Sequence, residues 1–231
     1  MKLSRNFTLS IHFILDKLLP PLLRDSRWFM APIFRLLFGQ KSTYYLNFKE
    51  KLPYLSDQEI NHYYEILADT FIQRETDLNV ESIQFIEKEI QGNAVLDVAS
   101  GRGFLAQKLA SLGHSVTAVD IVQPSRFKNS ENPYFLTAEI TALPFPENHF
   151  DTVVCTHTLE HIRNLPLALQ EVRRVCKQRL IVVVPCQREY RYTFDLHIHF
   201  FPYEHNLRYY VGSGGSIIKA GGDFIYIEDM T

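Results

Sequence analysis

The stretch Val95-Leu96-Asp97-Val98-Ala99-Ser100-Gly101-Arg102-Gly103 decides the architecture of this chain: an apolar strand ends in an acid and a glycine turn that opens a helix. That helix is expected over Phe104 to Leu112, stopped by Gly113. A strand that turns through glycine into a helix is the first half of a β-α-β unit. The carboxyl end of such a strand is where a doubly wound sheet receives nucleotide-like ligands. Glycine lets the backbone approach a ligand closely. Asp97 can accept hydrogen bonds from the loop or, through water, from a ligand ammonium group. Asp120 follows Gly103 by 17 residues, at the tip of the next strand, where a carboxylate can hold both ribose hydroxyls.

Outward from this loop the same texture continues. β-branched runs at Ala94 to Val98, Ser115 to Asp120, Asn132 to Thr137, Phe150 to Thr156 and Arg179 to Val184 alternate with helical stretches. One of these, Leu165 to Lys177, carries Leu165, Leu169, Val172 and Val175 at helical spacing. The pattern predicts a mostly parallel sheet of right-handed β-α-β units, Rossmann-like and doubly wound. Ser216 to Ala220 and Asp223 to Glu228, joined at Gly221-Gly222, predict a C-terminal β-hairpin. Upstream, residues 1 to 90 read as helical. Ser56 with Glu59 forms a start signal, and Ile60, Tyr63, Tyr64 and Leu67 lie three and four apart. The expected division is a helical lid or substrate-side segment over 1–90 and a cofactor-binding domain over 91–231.

Composition narrows the class. With 231 residues, 46% apolar and 22% charged, the chain is long enough for one α/β domain with an appendage, and average for a globular protein. A net charge of −2 provides no global positive field, which argues against duplex nucleic acid as a partner. Cys155, Cys176 and Cys186 lie in or beside apolar runs and read as reduced core residues of a cytoplasmic protein. Phe7 to Leu23 and Trp28 to Phe38 are apolar but broken by Asp16, Lys17, Pro20-Pro21 and Arg35, too short and interrupted to span a bilayer. They predict amphipathic helices that cover a site, form a homodimer contact, or lie on a membrane surface.

The loop by itself leaves the cofactor open, since Gly101-Arg102-Gly103-Phe104-Leu105-Ala106 also meets a nicotinamide pattern. Three further features separate the readings. They are the acid four residues before the first glycine, the segment Ala138-Glu139-Ile140-Thr141-Ala142-Leu143-Pro144-Phe145, and Phe150-Asp151 with its β-branched strand. Together they resemble the type 11 branch of the class I S-adenosylmethionine-dependent methyltransferases, over about Ala94 to Phe201. The resemblance implies S-adenosylmethionine as cofactor, held by Asp97, Ala99, Gly101, Gly103, Asp120 and Ile121, with Glu139 on the adenine amino group and the Ile140 amide facing the ring. Ala99 stands where the family often has Gly, Ser100 where it often has Cys, and Glu139 where it usually has Asp. Arg74, just before the domain, is the candidate for the methionine carboxylate, because a guanidinium matches a carboxylate bidentately.

After the fourth strand comes His157-Thr158-Leu159-Glu160-His161. Its H-x-x-E-H spacing is that of inverted zinc peptidases, but those carry it within a long helix, not behind a buried strand. It is similar instead to the Glu-x-x-Glu-His of ubiquinone-pathway and small-RNA O-methyltransferases, with His157 replacing the first Glu. That likeness implies a divalent metal on His157, Glu160, His161 and His197, which would lower the pKa of an acceptor hydroxyl. Without a metal, His157 or His161 is the candidate general base, oriented by Glu160. The Arg- and Tyr-rich stretch from Gln187 to Phe194 could stack on a sugar or clamp a phosphate. The expected activity is methyl transfer to a hydroxyl of a small molecule or glycan precursor. Methylation of a quinone or lipid precursor at a membrane surface, and a non-catalytic cofactor-binding module, stand as alternatives.

Overall fold

The computed structural model describes residues 14, 18–67, 75–124, 127 and 131–230. The chain divides into two compact units, Met1–Arg74 with Arg188–Ile198, and Glu75–Gln187 with His199–Thr231. The expected cut at 90/91 is therefore displaced. Helix α5, Val80–Glu89, buries Ile83 and Ile86 among the sheet residues Val95, Val116 and Val154, so it belongs to the second unit. Conversely Tyr190, Tyr192 and Leu196 are buried among residues of the N-terminal helices.

In the first unit, the described helices are α1 (Pro21–Arg24), α2 (Arg27–Phe38), α3 (Ser42–Lys51) and α4 (Asp57–Leu67), and no strand occurs among its described residues. The capping box foreseen at α4 is formed. The Glu59 carboxylate accepts from the Ser56 N–H at 2.7 Å, and the Ser56 hydroxyl accepts from the Glu59 N–H at 3.3 Å. The core is aromatic: Phe34 stacks on Phe194 with centroids 4.6 Å apart, and Phe38 on Tyr45 at 4.3 Å. Lys49 pairs with Glu189 at 2.9 Å, and the Arg191 N–H donates to Asp25 at 3.0 Å. The Arg- and Tyr-rich stretch is thus an integral part of this unit's core and rim.

The second unit is a seven-stranded sheet in the order β3-β2-β1-β4-β5-β7-β6. The strands are β1 (Ala94–Val98), β2 (Ser115–Asp120), β3 (Tyr134–Thr137), β4 (Phe150–Thr156), β5 (Cys176–Pro185), β6 (Ser216–Ala220) and β7 (Asp223–Asp229). Strands β1 to β5 pair in parallel, and β7 runs antiparallel to both β5 and β6. Successive residues point to opposite faces, and both faces are covered. Val95, Val154 and Val183 pack with α5 and α6 (Phe104–Ser111), while Leu96, Val153 and Val182 pack with α7 (Leu165–Val175) and α8 (Glu204–Val211). Helix α7 stops two residues earlier than its pattern suggests, since Cys176 already pairs with Phe150 as the first residue of β5.

The consequence for function lies in the register. Val98 at the end of β1 is level with Val119 of β2 and Cys155 of β4. The loops that follow these three strands, which hold Ala99, Gly101, Gly103, Ile121, His157, Glu160 and His161, therefore emerge side by side.

Candidate functional site

The glycine turn takes the strained path that the sequence implies. Ala99, Gly101 and Gly103 all adopt positive φ, at 53°, 53° and 73°. Glycine adopts this at little cost, but Ala99 is held there against its steric preference. The two glycines serve different ends. A Cβ at Gly101 would meet no atom of the described residues within 4 Å, which leaves room beside this peptide for a ligand. A Cβ at Gly103 would overlap the Phe127 ring, so this glycine is required for packing.

Asp120 organises the turn. Its Oδ2 accepts the Gly101 N–H at 2.7 Å and its Oδ1 the Val122 N–H at 3.2 Å. Burial raises its pKa, and these amides, with that of Ile121, offset part of the rise. The acid expected to hold ribose hydroxyls thus ties β2 to the loop after β1.

Asp97 is the polar anomaly of this edge. It is 1% exposed, and its Oδ2 has no hydrogen-bond partner among the described residues. Burial pushes its carboxyl up to about 7, with the Ala106 amide lowering it and the Asp120 charge adding to the rise. The neighbouring Ser100 Oγ is likewise buried without a partner among the described residues. Buried polar atoms normally have partners, so unsatisfied ones at the end of β1 and in the turn after it mark a place where a ligand can supply them. The loop therefore fits a cofactor bearing hydrogen-bond donors, as the resemblance implies.

The remaining expected positions lie at the ends of β2 and β3. Ile121 is 39% exposed, the Glu139 side chain is exposed, and the Ile140 side chain is buried in the core. The Leu143-Pro144-Phe145 motif is held by a pair that sequence reading did not single out. Glu171 accepts the Leu143 N–H at 2.9 Å, while Arg174 donates to the carbonyls of Leu143 at 2.9 Å and Phe145 at 2.6 Å. Both come from α7 and pair with each other at 2.7 Å. Phe150-Asp151 turns out to be framework: Asp151 accepts from the N–H groups of Asn93 and Ala94 at 2.9 and 3.0 Å, and from Gln178 at 2.8 Å. Arg74 lies outside the described residues.

Beyond β4, a 3-10 turn holds Leu159–His161. Glu160 is fully buried and His161 partly exposed. His157 departs from its expected parts. Its backbone has φ 49° and its side chain is wedged between two carboxylates, Nδ1 lying 3.5 Å from Glu160 and Nε2 3.5 Å from Asp223. Asp223 is anchored in turn by Asn79 at 2.7 Å and by the Ser82 hydroxyl at 2.9 Å, and Asn79 caps α5. Burial favours the neutral imidazole, but the two acids outweigh it and raise the His157 pKa to about 10. A ring that is charged at neutral pH, with an acid at each nitrogen, is neither a free general base nor a metal ligand. Of the expected metal set, His157 therefore does not fit. Glu160 and His161 share one turn, and His197, which is buried, belongs to the other unit. The partner of His157 lies 66 residues away; the only local hint is that Asp223 follows the Gly221-Gly222 turn.

Comparison with known proteins agrees with this geometry. Residues 96–184 match the family described as a methyltransferase domain. The chain is 37% identical over 100 residues to a malonyl-[acyl-carrier protein] O-methyltransferase of Erwinia pyrifoliae, covering 41% of this chain and 38% of that protein. It is 34% identical over 106 residues to the ubiquinone/menaquinone biosynthesis C-methyltransferase UbiE of Ectopseudomonas mendocina, covering 40% and 41%. The chain thus spans about two fifths of the length of these relatives. Among solved structures, a SAM-dependent methyltransferase from Aquifex aeolicus superposes with a TM-score of 0.55 at 18% identity, covering 77% of this chain and all of that one. With the strand order, the glycine turn and the family match in agreement, residues 96–184 of this chain form a methyltransferase domain, on a sheet with the class I S-adenosylmethionine-dependent methyltransferase fold.

Proposed function

We propose that the chain transfers the methyl group of S-adenosylmethionine to a hydroxyl oxygen of a small molecule or glycan precursor. The observation that carries the cofactor half is the buried Asp97 Oδ2 near the end of β1, which has no hydrogen-bond partner among the described residues. The bound cofactor supplies an activated methyl on a sulfonium, so the chain has only to position, desolvate and deprotonate the acceptor. Asp97 and Asp120 orient the donor. His161, partly exposed on the turn after β4, takes the acceptor proton through a ring nitrogen. The imidazolium of His157, fixed between Glu160 and Asp223, positions that turn by neutralising the buried Glu160. Turnover is expected to survive exhaustive chelation.

Calorimetry with S-adenosylmethionine and its demethylated product, followed by methyl-transfer assays on hydroxyl-bearing acceptors, tests the reading. Tight binding with transfer to oxygen supports it. His161→Ala should then lower kcat by ~10²-fold or more with cofactor affinity retained. Binding without transfer to any acceptor would favour a non-catalytic module, and absence of binding would remove the reading altogether. The second reading, a quinone or lipid precursor as acceptor, is favoured by the apolar outer face of α2, where Trp28 is 73% and Leu36 87% exposed.

A further inference from the structure

We infer that the first unit carries a docking surface for anionic lipid bilayers, formed by the outer face of α2 and the exposed Leu18 and Leu22 before it. The inference does not rest on the catalytic reading, since lipid binding is read without turnover.

Helix α2 is two-faced. Met30, Ala31 and Phe34 are buried in the aromatic core. On the opposite side Trp28, Pro32 and Leu36 repeat every four residues and are exposed, and Arg27 and Arg35 are the only charged residues of the helix. Upstream, Leu22 is 84% and Leu18 65% exposed. A Trp-Leu stripe bordered by arginine is the composition of a helix that lies in the interfacial plane of a bilayer. Indole suits that zone because one side is apolar and its N–H prefers a wet partner. With 12 residues, α2 is about 18 Å long, too short to cross the hydrocarbon, and among the described residues no helix is long and apolar enough to do so.

Charge selects the occupant. Residues 1–54 hold nine Lys and Arg against three Asp and Glu, a net of +6. Because the whole chain carries −2, the other 177 residues carry −8. Near-neutrality of the chain therefore conceals a segregated basic end. Two of the three acids in that end are engaged: Glu50 pairs with Arg191 at 2.5 Å, and Asp25 accepts the Arg191 N–H. An exposed apolar stripe within a segment of +6 complements a negatively charged bilayer, to which each basic residue near the surface adds attraction.

The full-length chain is floated with vesicles of phosphatidylcholine alone and with vesicles containing phosphatidylglycerol, at low and high salt. Binding is expected to the anionic vesicles and to weaken as salt rises. Trp28→Ser with Leu36→Ser should lower the partition coefficient by ~10-fold or more, and Arg35→Gln by about fivefold on anionic vesicles only. Cofactor titration of the same variants should be unchanged, which separates a failed docking surface from a failed cofactor site. Absence of binding to anionic vesicles at low salt overturns the inference, as does equal binding by the double variant. Loss of a dimer in the double variant, with no vesicle binding by the parent chain, assigns the stripe to a second copy and also overturns it.

Discussion

Two carboxylates of the same sheet meet opposite fates. Asp151, at the start of β4, accepts three hydrogen bonds and pins the entry of β1 and β5, and these donors hold its pKa below the usual carboxylate range. Asp97, near the end of β1, is more deeply buried, keeps one oxygen without a partner among the described residues, and has its pKa pushed up to about 7. Both belong to motifs that the sequence offers with equal emphasis. A satisfied buried acid is framework, whereas an unsatisfied one beside a glycine turn is a receptor awaiting donors.

Substitutions at the two acids should separate these roles. The largest expected effect is on cofactor affinity: Asp97→Asn should raise Kd by ~10- to 100-fold, the loss of one charge-assisted hydrogen bond, as read by calorimetry. Asp151→Ala should leave Kd within about twofold. Next comes stability. Asp151→Ala should cost about 2 kcal/mol and lower Tm by roughly 4–8 °C, whereas Asp97→Asn should raise the Tm of the ligand-free protein near neutral pH.

The pH dependences should also oppose each other. A raised folded pKa means that the native state retains a proton the unfolded chain has lost. The contribution of Asp97 is therefore complete below about pH 4 and is lost as pH rises through about 7. The contribution of Asp151 is present above its unfolded pKa and lost as pH falls. Denaturant melts of the wild type and Asp97→Asn across that range check this, and saturating cofactor should flatten the decline. The smallest effect is at Ala99, whose φ of 53° suits glycine: Ala99→Gly should stabilise the ligand-free protein by roughly 0.5–1 kcal/mol, measured by the same melts.

The sheet was legible because its strands are local events. The β-branched run of β4, the glycine turn after β1 and the double glycine before Asp223 each announce themselves within a few residues. The division into two units was not, because Tyr190, Tyr192 and Leu196 join the helical core through contacts more than 100 residues distant in the chain. Helix α8, Glu204–Val211, escaped notice because it is short and buries only Leu207 and Val211, too few positions to set a period. At the site, Asp97, Gly101, Gly103 and Asp120 could be read from spacing, since strand, turn and helix follow one another. The clamp on His157 could not, because Asp223 reaches it from the far hairpin and Asn79 from a helix cap. Likewise Glu171 and Arg174 look like ordinary surface residues until their hydrogen bonds to the Leu143–Phe145 loop are seen.

The carboxyl of Asp97 has a thermodynamic corollary for any measurement of the methyl donor. A group that retains its proton to about pH 7, and meets a ligand favouring its ionised form, must expel that proton when the ligand arrives. Binding heats should therefore vary with the ionisation enthalpy of the buffer. Donor affinity should climb as the medium turns alkaline, by at most tenfold for each pH unit, and level off once Asp97 is ionised in the free protein. The loop after β1 would then respond to local acidity as well as to donor concentration, through a single buried oxygen.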